Sequence, residues 1–81
     1  MGRMLDVAAE VRTEEGRPTW FRFRGVSRQV KRILERWRES GRWWEGEAEK
    51  TFYRVETDGG SVFTLYQDVT TGRWRLYEVE D

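Results

Sequence analysis

The feature that most constrains the fold is a pair of alternating segments joined by a glycine-rich turn. Residues 51–57 and 61–67 alternate apolar and polar side chains, and Asp58-Gly59-Gly60 lies between them. Because glycine reaches the positive φ that tight turns require, this arrangement is typical of a β-hairpin. A second turn-forming segment, residues 68–72, leads into a further alternating stretch at residues 73–80. The second half is therefore predicted to be a three-stranded antiparallel meander.

The first half of the chain shows the same period of two in two places. Residues 5–11 alternate apolar with polar or small side chains, and residues 20–24 place Phe21 and Phe23 on one face. The polar stretch between them, residues 13–18, contains one glycine and one proline and is predicted to turn the chain. We therefore expect two more strands in this half.

Residues 27–40 fit two structures. Apolar side chains fall on one stripe of a helix that Ser27 could cap and Gly41 could end, at Val26, Val30, Ile33, Leu34 and Trp37. As a strand, the segment places Ile33 and Trp37 on one face and needs a β-bulge near Lys31 or Arg32 to bring Val30 onto it. The strand gives an all-β antiparallel sheet or barrel-like domain of five to six strands. The helix gives an α+β fold with one helix at about 27–40.

The predicted core follows from these patterns, because a small domain must build its interior from its largest apolar side chains. The chain has 81 residues, enough for one domain over residues 1–81, with five Trp, four Phe and three Tyr. The core should contain Leu5, Val7, Phe21, Phe23, Val30, Ile33, Trp37, Tyr53, Val55, Val62, Leu65, Trp74 and Leu76.

Two residue types that carry much protein chemistry are missing. Without Cys the chain can form no disulfide and no thiolate metal site, and without His it can have no imidazole ligand or histidine base. Carboxylates are the remaining candidates, but Glu45, Glu47 and Glu49, like Glu78 and Glu80, are not framed by a calcium-loop motif. We therefore expect a protein that is not an enzyme, with no catalytic residues, metal or cofactor.

No apolar run approaches the roughly 20 residues of a membrane span. The first residues also lack the apolar stretch of a signal peptide. A cytoplasmic protein that does not associate with membranes is expected.

Charge is unevenly distributed along the chain. Basic and acidic residues number 15 each, but residues 17–44 contain nine basic and two acidic residues, and residues 45–81 contain four basic and nine acidic ones. Thirteen of the 15 basic residues are Arg, which suits phosphates and aromatic faces. The same bias is also typical of ion-pair-rich thermophile surfaces.

Arginine interleaved with aromatic residues is the combination that binds single-stranded nucleic acid, through stacking of bases and neutralisation of phosphates. The candidate binding residues are Arg22, Arg24, Arg28, Arg36, Arg38, Arg42, Trp43 and Trp44. The partner predicted for them is single-stranded DNA or a DNA-repair protein. The alternative is a homo-oligomer in which the basic patch of one copy meets the acidic patch of another.

An ordered set of motifs is more specific than any of these features alone. It consists of Trp43-Trp44, then Tyr53-Arg54-Val55, then Thr71-Gly72-Arg73-Trp74. Over residues 18–80 the chain resembles an uncharacterised bacterial domain family. That family occurs as small free-standing proteins and as the C-terminal tail of inactive Y-family-polymerase-like mutagenesis proteins. The resemblance implies a strand at residues 28–37, a role in DNA-damage tolerance and no assigned catalytic residue.

Overall fold

The computed structural model describes residues 3–80, apart from the side chain of Trp43. Its strands are β1 (Arg3–Ala8), β2 (Glu10–Glu14), β3 (Arg17–Phe23), β4 (Val26–Glu39), β5 (Lys50–Thr57), β6 (Val62–Asp68) and β7 (Trp74–Glu80). They form one antiparallel sheet in the order β1-β7-β6-β5-β4-β3-β2, curved into a half-barrel. Within residues 3–80 the only helix is a 3-10 turn at Trp43–Glu45, so the all-β prediction is confirmed and the helix at 27–40 is wrong.

The sheet has seven strands, more than the five to six predicted. The single strand expected at residues 5–11 is divided at Ala9 into β1 and β2, which pair with different neighbours. β1 pairs with β7, β2 pairs with β3, and the amide of Ala9 donates to the carbonyl of Trp74 at 3.2 Å. The two edges of the sheet are therefore consecutive segments of one chain.

Two hairpins in the first half close with an X-Gly turn. Glu15 and Gly16 connect β2 to β3 with φ of 51° and 79°, and Arg24 and Gly25 connect β3 to β4 with φ of 48° and 78°. Positive φ at both central residues is the geometry of the type I′ turn, which matches the twist of the flanking strands. β2, β3 and the start of β4 form a three-stranded arm.

β4 changes partner along its length. Val26–Gln29 pair with β3, and the pairing with β5 runs from Val30 to Glu39. Each part of this long strand therefore has one edge that pairs with no strand of residues 3–80. A groove of about 570 Å³ opens beside each part.

Two irregularities in β4 decide which side chains face inward. The first lies between Val30 and Arg32, where the sequence required a bulge, and the second lies between Ile33 and Glu35. Ile33 pairs with Val55 and Trp37 with Phe52. Because Val55 and Phe52 are three residues apart on a regular strand, Ile33 and Trp37 lie on opposite faces. The prediction that they share a face, with Trp37 in the core, is wrong.

The core lies on the inner face of the sheet, which carries Phe21, Tyr53, Val55, Phe63, Leu65 and Leu76. Leu5, Val7, Phe23, Val30, Ile33 and Trp74 pack against it half-buried, as expected. Val62 is a correction: it pairs with Glu56 on the opposite face, because only alternate residues of β6 point inward. Phe63 takes the inner position, with its ring centroid 5.1 Å from that of Phe21.

A second aromatic cluster lies on the outer face, opposite the core. Phe52 is 4% exposed, and its ring centroid lies 5.2 Å from Trp37, 5.2 Å from Tyr66 and 5.4 Å from Tyr77. The Trp37 and Phe52 rings are stacked with an interplanar angle of 6°. We call Trp37, Phe52, Tyr66 and Tyr77 the outer cluster. The central strands thus carry an apolar patch on the outer face as well as the core on the inner face.

Candidate nucleic-acid interface

Three of the six predicted arginines form ion pairs within the molecule. Arg22 lies 2.6 Å from Glu10, Arg38 lies 3.5 Å from Glu49, and Arg42 lies 3.7 Å from Glu45. All six side chains are largely exposed. Exposed pairs contribute only about 0 to 1 kcal/mol, so an anionic ligand could displace the carboxylates.

The other three arginines make no ion pair with any carboxylate of residues 3–80. Arg24 lies in the β3–β4 turn, and Arg28 donates from Nη1 to the carbonyl of Ser27 at 2.8 Å. Arg36 donates from Nε to the hydroxyl of Tyr53 at 3.5 Å, and its guanidinium carbon lies 5.8 Å from the centroid of that ring. These cations are available to a ligand.

The predicted arginines do not form one site. Arg22, Arg24 and Arg28 lie at the β3–β4 hairpin, whereas Arg36 and Arg38 lie near the other end of β4. Eight residues separate Arg28 from Arg36, which in an extended strand corresponds to about 26 Å. The structure therefore divides the predicted site into an arm group and a strand-end group.

The arm group is built around Trp20. Arg12 pairs with Trp20 across β2 and β3, and its guanidinium carbon lies 4.8 Å from the indole centroid. The guanidinium of Arg22, two residues along β3, lies 6.0 Å from the same centroid. Trp20 is half-buried on the outer side of the arm. We call Arg12, Trp20 and Arg22 the Trp20 face.

Arg12 was not among the predicted binding residues because it lies outside the basic segment 17–44. Its position follows from cross-strand pairing, which joins residues eight apart around the Glu15-Gly16 turn. Alternation places Trp20 and Arg22 on one face, but it does not give the register that brings Arg12 opposite the indole.

The Trp20 groove lies between the arm and the β5–β6 turn. It is lined by Trp20, Ser27, Arg28, Gln29, Asp58, Gly59 and Ser61. The amide of Asp58 donates to the carbonyl of Gln29 at 3.1 Å, which fixes one wall against the other. One indole, one guanidinium, one carboxylate, one carboxamide and two hydroxyls thus surround an open, polar space.

The adjacent tryptophans of the predicted site lie in the 3-10 turn. Trp44 is 67% exposed, and the side chain of Trp43 lies outside the described residues. The glutamates around them bind arginine or backbone: Glu45 pairs with Arg42, and Glu47 accepts from the amide of Arg42 at 3.0 Å. Within residues 3–80 no three acidic side chains are close enough together to hold a metal ion.

The two buried rings of the outer cluster are not available for stacking by a ligand. Phe52 is 4% and Tyr66 is 6% exposed, so neither offers an open aromatic face. Phe21 and Phe63 are likewise buried in the core. Among the tryptophans, Trp37 is stacked on Phe52 and Trp74 packs against the core, so neither has the exposure of Trp44 or the arginine neighbours of Trp20.

One polar cluster was not predicted from the sequence. Asp6 has φ of 46° at a bulge in β1, and its Oδ1 accepts from the hydroxyl of Tyr66 at 2.9 Å and from Nε of Arg75 at 2.8 Å. The hydrogen bond from Arg75 lowers the pKa of Asp6 and raises that of Arg75. Burial, with the bond to Asp6, raises the pKa of Tyr66 to about 12. These shifts favour an ionised Asp6, a charged Arg75 and a neutral Tyr66, and the three side chains together link β1, β6 and β7.

Arg54 makes a similar link at the other end of the outer face. Its Nη2 lies 2.6 Å from Glu80 and its Nη1 3.1 Å from Glu35, so it joins β5 to β7 and to β4. The hydrogen bond to Glu80 raises the pKa of Arg54. Both carboxylates are engaged by this guanidinium.

Within residues 3–80 no helix has the length and apolarity needed to cross a membrane. A search of curated proteins and a search of solved structures each found no significant match. A family model described as a domain of unknown function, DUF6504, matches residues 3–81. The chain therefore belongs to the DUF6504 family of domains of unknown function.

Proposed function

We propose that this domain is a non-catalytic module that binds single-stranded DNA at the Trp20 face and the adjoining groove. The observation that supports this most strongly is the placement of Arg12 and Arg22 at 4.8 and 6.0 Å from one half-buried indole. Arg24 lies at the hairpin tip, and Arg28 borders the adjoining groove from the face opposite to Trp20, because it pairs with Phe21; neither pairs with a carboxylate of residues 3–80. Base stacking and phosphate contact are thereby offered side by side.

The arginines over Trp20 do not prevent a base from stacking there. An exposed cation–π contact is worth about 0.5 to 1 kcal/mol, whereas stacking one base on an aromatic ring contributes about 1 to 3 kcal/mol. A base can therefore displace Arg12 from the indole, and the released guanidinium can contact the adjacent phosphate. The guanidinium of Arg12, once displaced from the indole, thus adds a phosphate contact to the complex with DNA.

The Trp20 groove adds groups suited to a nucleotide. Arg28 can contact a phosphate, and the carboxylate of Asp58 can accept a hydrogen bond from an exocyclic amino group of a base. The edges of single-stranded bases are accessible to such contacts. Duplex DNA, in which these edges are paired, should bind more weakly.

The experiment is a titration of a labelled single-stranded oligonucleotide at low and moderate salt, read by fluorescence anisotropy. Four phosphate contacts, from Arg12, Arg22, Arg24 and Arg28, predict a slope of log K against log salt of about −3. Trp20→Ala should weaken binding roughly tenfold or more, whereas Trp20→Phe should retain much of it. Circular dichroism checks that each variant is folded.

The matched control is Arg73→Ala, which removes an exposed arginine in the loop between β6 and β7. It lowers the net charge by the same amount as Arg28→Ala but lies away from Trp20. If both variants weaken binding equally, attraction is diffuse and the Trp20 face is not the site. Absence of binding at low salt would refute the proposal outright.

The setting proposed for this activity is DNA-damage tolerance, either with DNA directly or beside a DNA-repair protein. It is supported by the sequence resemblance to the C-terminal tails of inactive Y-family-polymerase-like proteins. A module of this kind would hold a damaged template single strand while other proteins carry out the chemistry. Preference for single strands over duplex in the titration distinguishes this role from general affinity for polyanions.

A homo-oligomer is the second candidate. It is favoured by cations of the arm, such as Arg24 and Arg28, that pair with no carboxylate of residues 3–80, together with exposed acidic side chains outside the arm, such as Glu39 and Glu47. Contact between such patches in two copies would neutralise both. Light scattering decides: a monomer at high micromolar concentration and low salt would eliminate this candidate.

A further inference from the structure

We propose that the second edge of β4, from Leu34 to Glu39, binds an extended peptide strand whose side chains alternate between acidic and apolar. This site is separate from the Trp20 face and does not depend on the proposed DNA binding. The added strand would extend the sheet at the point where β3 leaves β4.

The pairing of β4 supplies the backbone for such a strand. β3 pairs with β4 only from Val26 to Gln29, and from Val30 onward the registered partner is β5 alone. On a strand with one partner, about half of the amide and carbonyl groups point away from that partner. Between Leu34 and Glu39 no strand of residues 3–80 pairs with those groups. An exposed edge of this kind is a template for another strand.

The β2–β3 turn borders the beginning of this edge. The hydroxyl of Tyr53 donates to the carbonyl of Gly16 at 3.3 Å, which fixes the turn near Arg36. The resulting groove of about 570 Å³ is lined by Glu15, Arg17, Ile33, Leu34, Arg36 and Tyr53, among others. Pro18 follows within β3 and is buried, and proline provides no amide to continue the ladder towards β4.

The side chains along this edge determine the chemistry of the partner. Arg36 and Arg38 pair with Tyr53 and Thr51, so both point to the inner side, and Arg17 also borders the groove. Arg36 pairs with no carboxylate of residues 3–80, and the contact of Arg38 with Glu49 is an exposed one of 3.5 Å. Carboxylates on one side of an incoming strand would therefore meet two or three guanidinium groups.

The other side of the incoming strand would meet the ring of Trp37, which lies between the exposed side chains of Glu35 and Glu39 on the outer face. Trp37 lies on the outer side, half-buried and stacked on Phe52, and Leu34 is 40% exposed at the second bulge. Because side chains of a strand alternate between faces, a peptide alternating glutamate and valine would satisfy both sides. A second copy of this chain pairing through the same edge would instead bring Arg36 and Arg38 near their own counterparts, which is unfavourable.

The test is the binding of a labelled synthetic peptide of alternating glutamate and valine to the full chain, read by fluorescence anisotropy. Arg36→Ala with Arg38→Ala should weaken binding at least tenfold, and Arg73→Ala should leave it unchanged. Arg36→Glu with Arg38→Glu should transfer preference to a peptide of alternating lysine and valine. Amide hydrogen exchange should slow at residues 34–39 when the peptide is bound.

A peptide methylated at alternate backbone nitrogens gives the control that does not alter the protein. It retains every charge but loses the amide donors on one edge, so its affinity should fall at least tenfold. Equal binding of the methylated peptide, no binding of the original peptide, or protection of residues 34–39 by self-association would overturn the proposal. Trp20→Ala should not change peptide binding, which separates this result from failure of the DNA proposal.

Discussion

Replacement of Phe52 by Ala tests whether the outer face of the sheet contributes to stability. Phe52 is 4% exposed although it lies opposite the core, and it contacts the rings of Trp37, Tyr66 and Tyr77 at 5.2 to 5.4 Å. Truncation of a buried Phe to Ala costs about 3 to 5 kcal/mol. Trp37 and Tyr77 are only half-buried and can relax into the space, so we expect the lower value, about 3 kcal/mol.

This loss is large for a domain of this size, whose total stability should be about 4 to 12 kcal/mol. Urea unfolding followed by circular dichroism should show a midpoint lower by about 2 to 3 M, with m near 1 to 1.5 kcal/mol/M. Met4→Ala is the matched control because Met4 lies on the same face in β1 but is 66% exposed, and it should cost less than about 0.5 kcal/mol. A cost for Phe52→Ala below about 1 kcal/mol would refute the reasoning.

Three further predictions concern groups with defined local geometry. Because the pKa of Tyr66 is raised to about 12 while that of an unfolded Tyr is near 10, Tyr66 favours folding below about pH 10. The free energy of unfolding should therefore fall by about 1.4 kcal/mol between about pH 9 and about pH 11. In Tyr66→Phe this decrease should be absent when the free energy of unfolding is measured against pH. The pKa of Asp6 is lowered, chiefly by Arg75, so its contribution is complete above about pH 4 and disappears as the pH falls through the folded-state pKa. Asp6→Asn should flatten the acid limb of the same measurement. Gly25→Ala should cost about 1 to 2 kcal/mol in urea unfolding through its φ of 78° alone, since no atom lies within 4 Å of the added Cβ; a neutral result would mean that the turn relaxes.

The strands of the second half could be predicted from the sequence because three signals agree there. Alternation, the Asp58-Gly59-Gly60 turn and the polar segment 68–72 all indicate the same meander, and β5, β6 and β7 form it. The X-Gly turns in the first half were only partly recognised, since the turn predicted at residues 13–18 is the two-residue Glu15-Gly16 turn. Local sequence signals were enough to predict that these strands exist, but they did not predict the residues at which the strands begin and end.

The predicted site was less accurate because charge along the chain does not reveal cross-strand neighbours. Glu10 and Glu49 lie outside the basic segment, yet they reach Arg22 and Arg38 across the sheet. The same pairing brought Arg12 beside Trp20. The register that creates these contacts depends on bulges and on the division of β1 from β2 at Ala9, and a count of charges contains neither.

The helix-like spacing in β4 has a physical origin in the apolar character of both sheet faces. If the sheet had only one apolar face, Val30, Ile33 and Trp37 could all be buried only on a helix, or on a strand whose bulges turned all three side chains to that face. Phe52, Tyr66 and Tyr77 provide a second apolar environment outside, so the bulge between Ile33 and Glu35 can direct Ile33 to the core and Trp37 to the outer cluster. The same bulge sets Arg36 and Arg38 on the inner side, beside the unpaired edge. The outer cluster accommodates Trp37, and burial of Trp37 there fixes the register of this part of β4. That register determines the face on which Arg36 and Arg38 can contact a ligand.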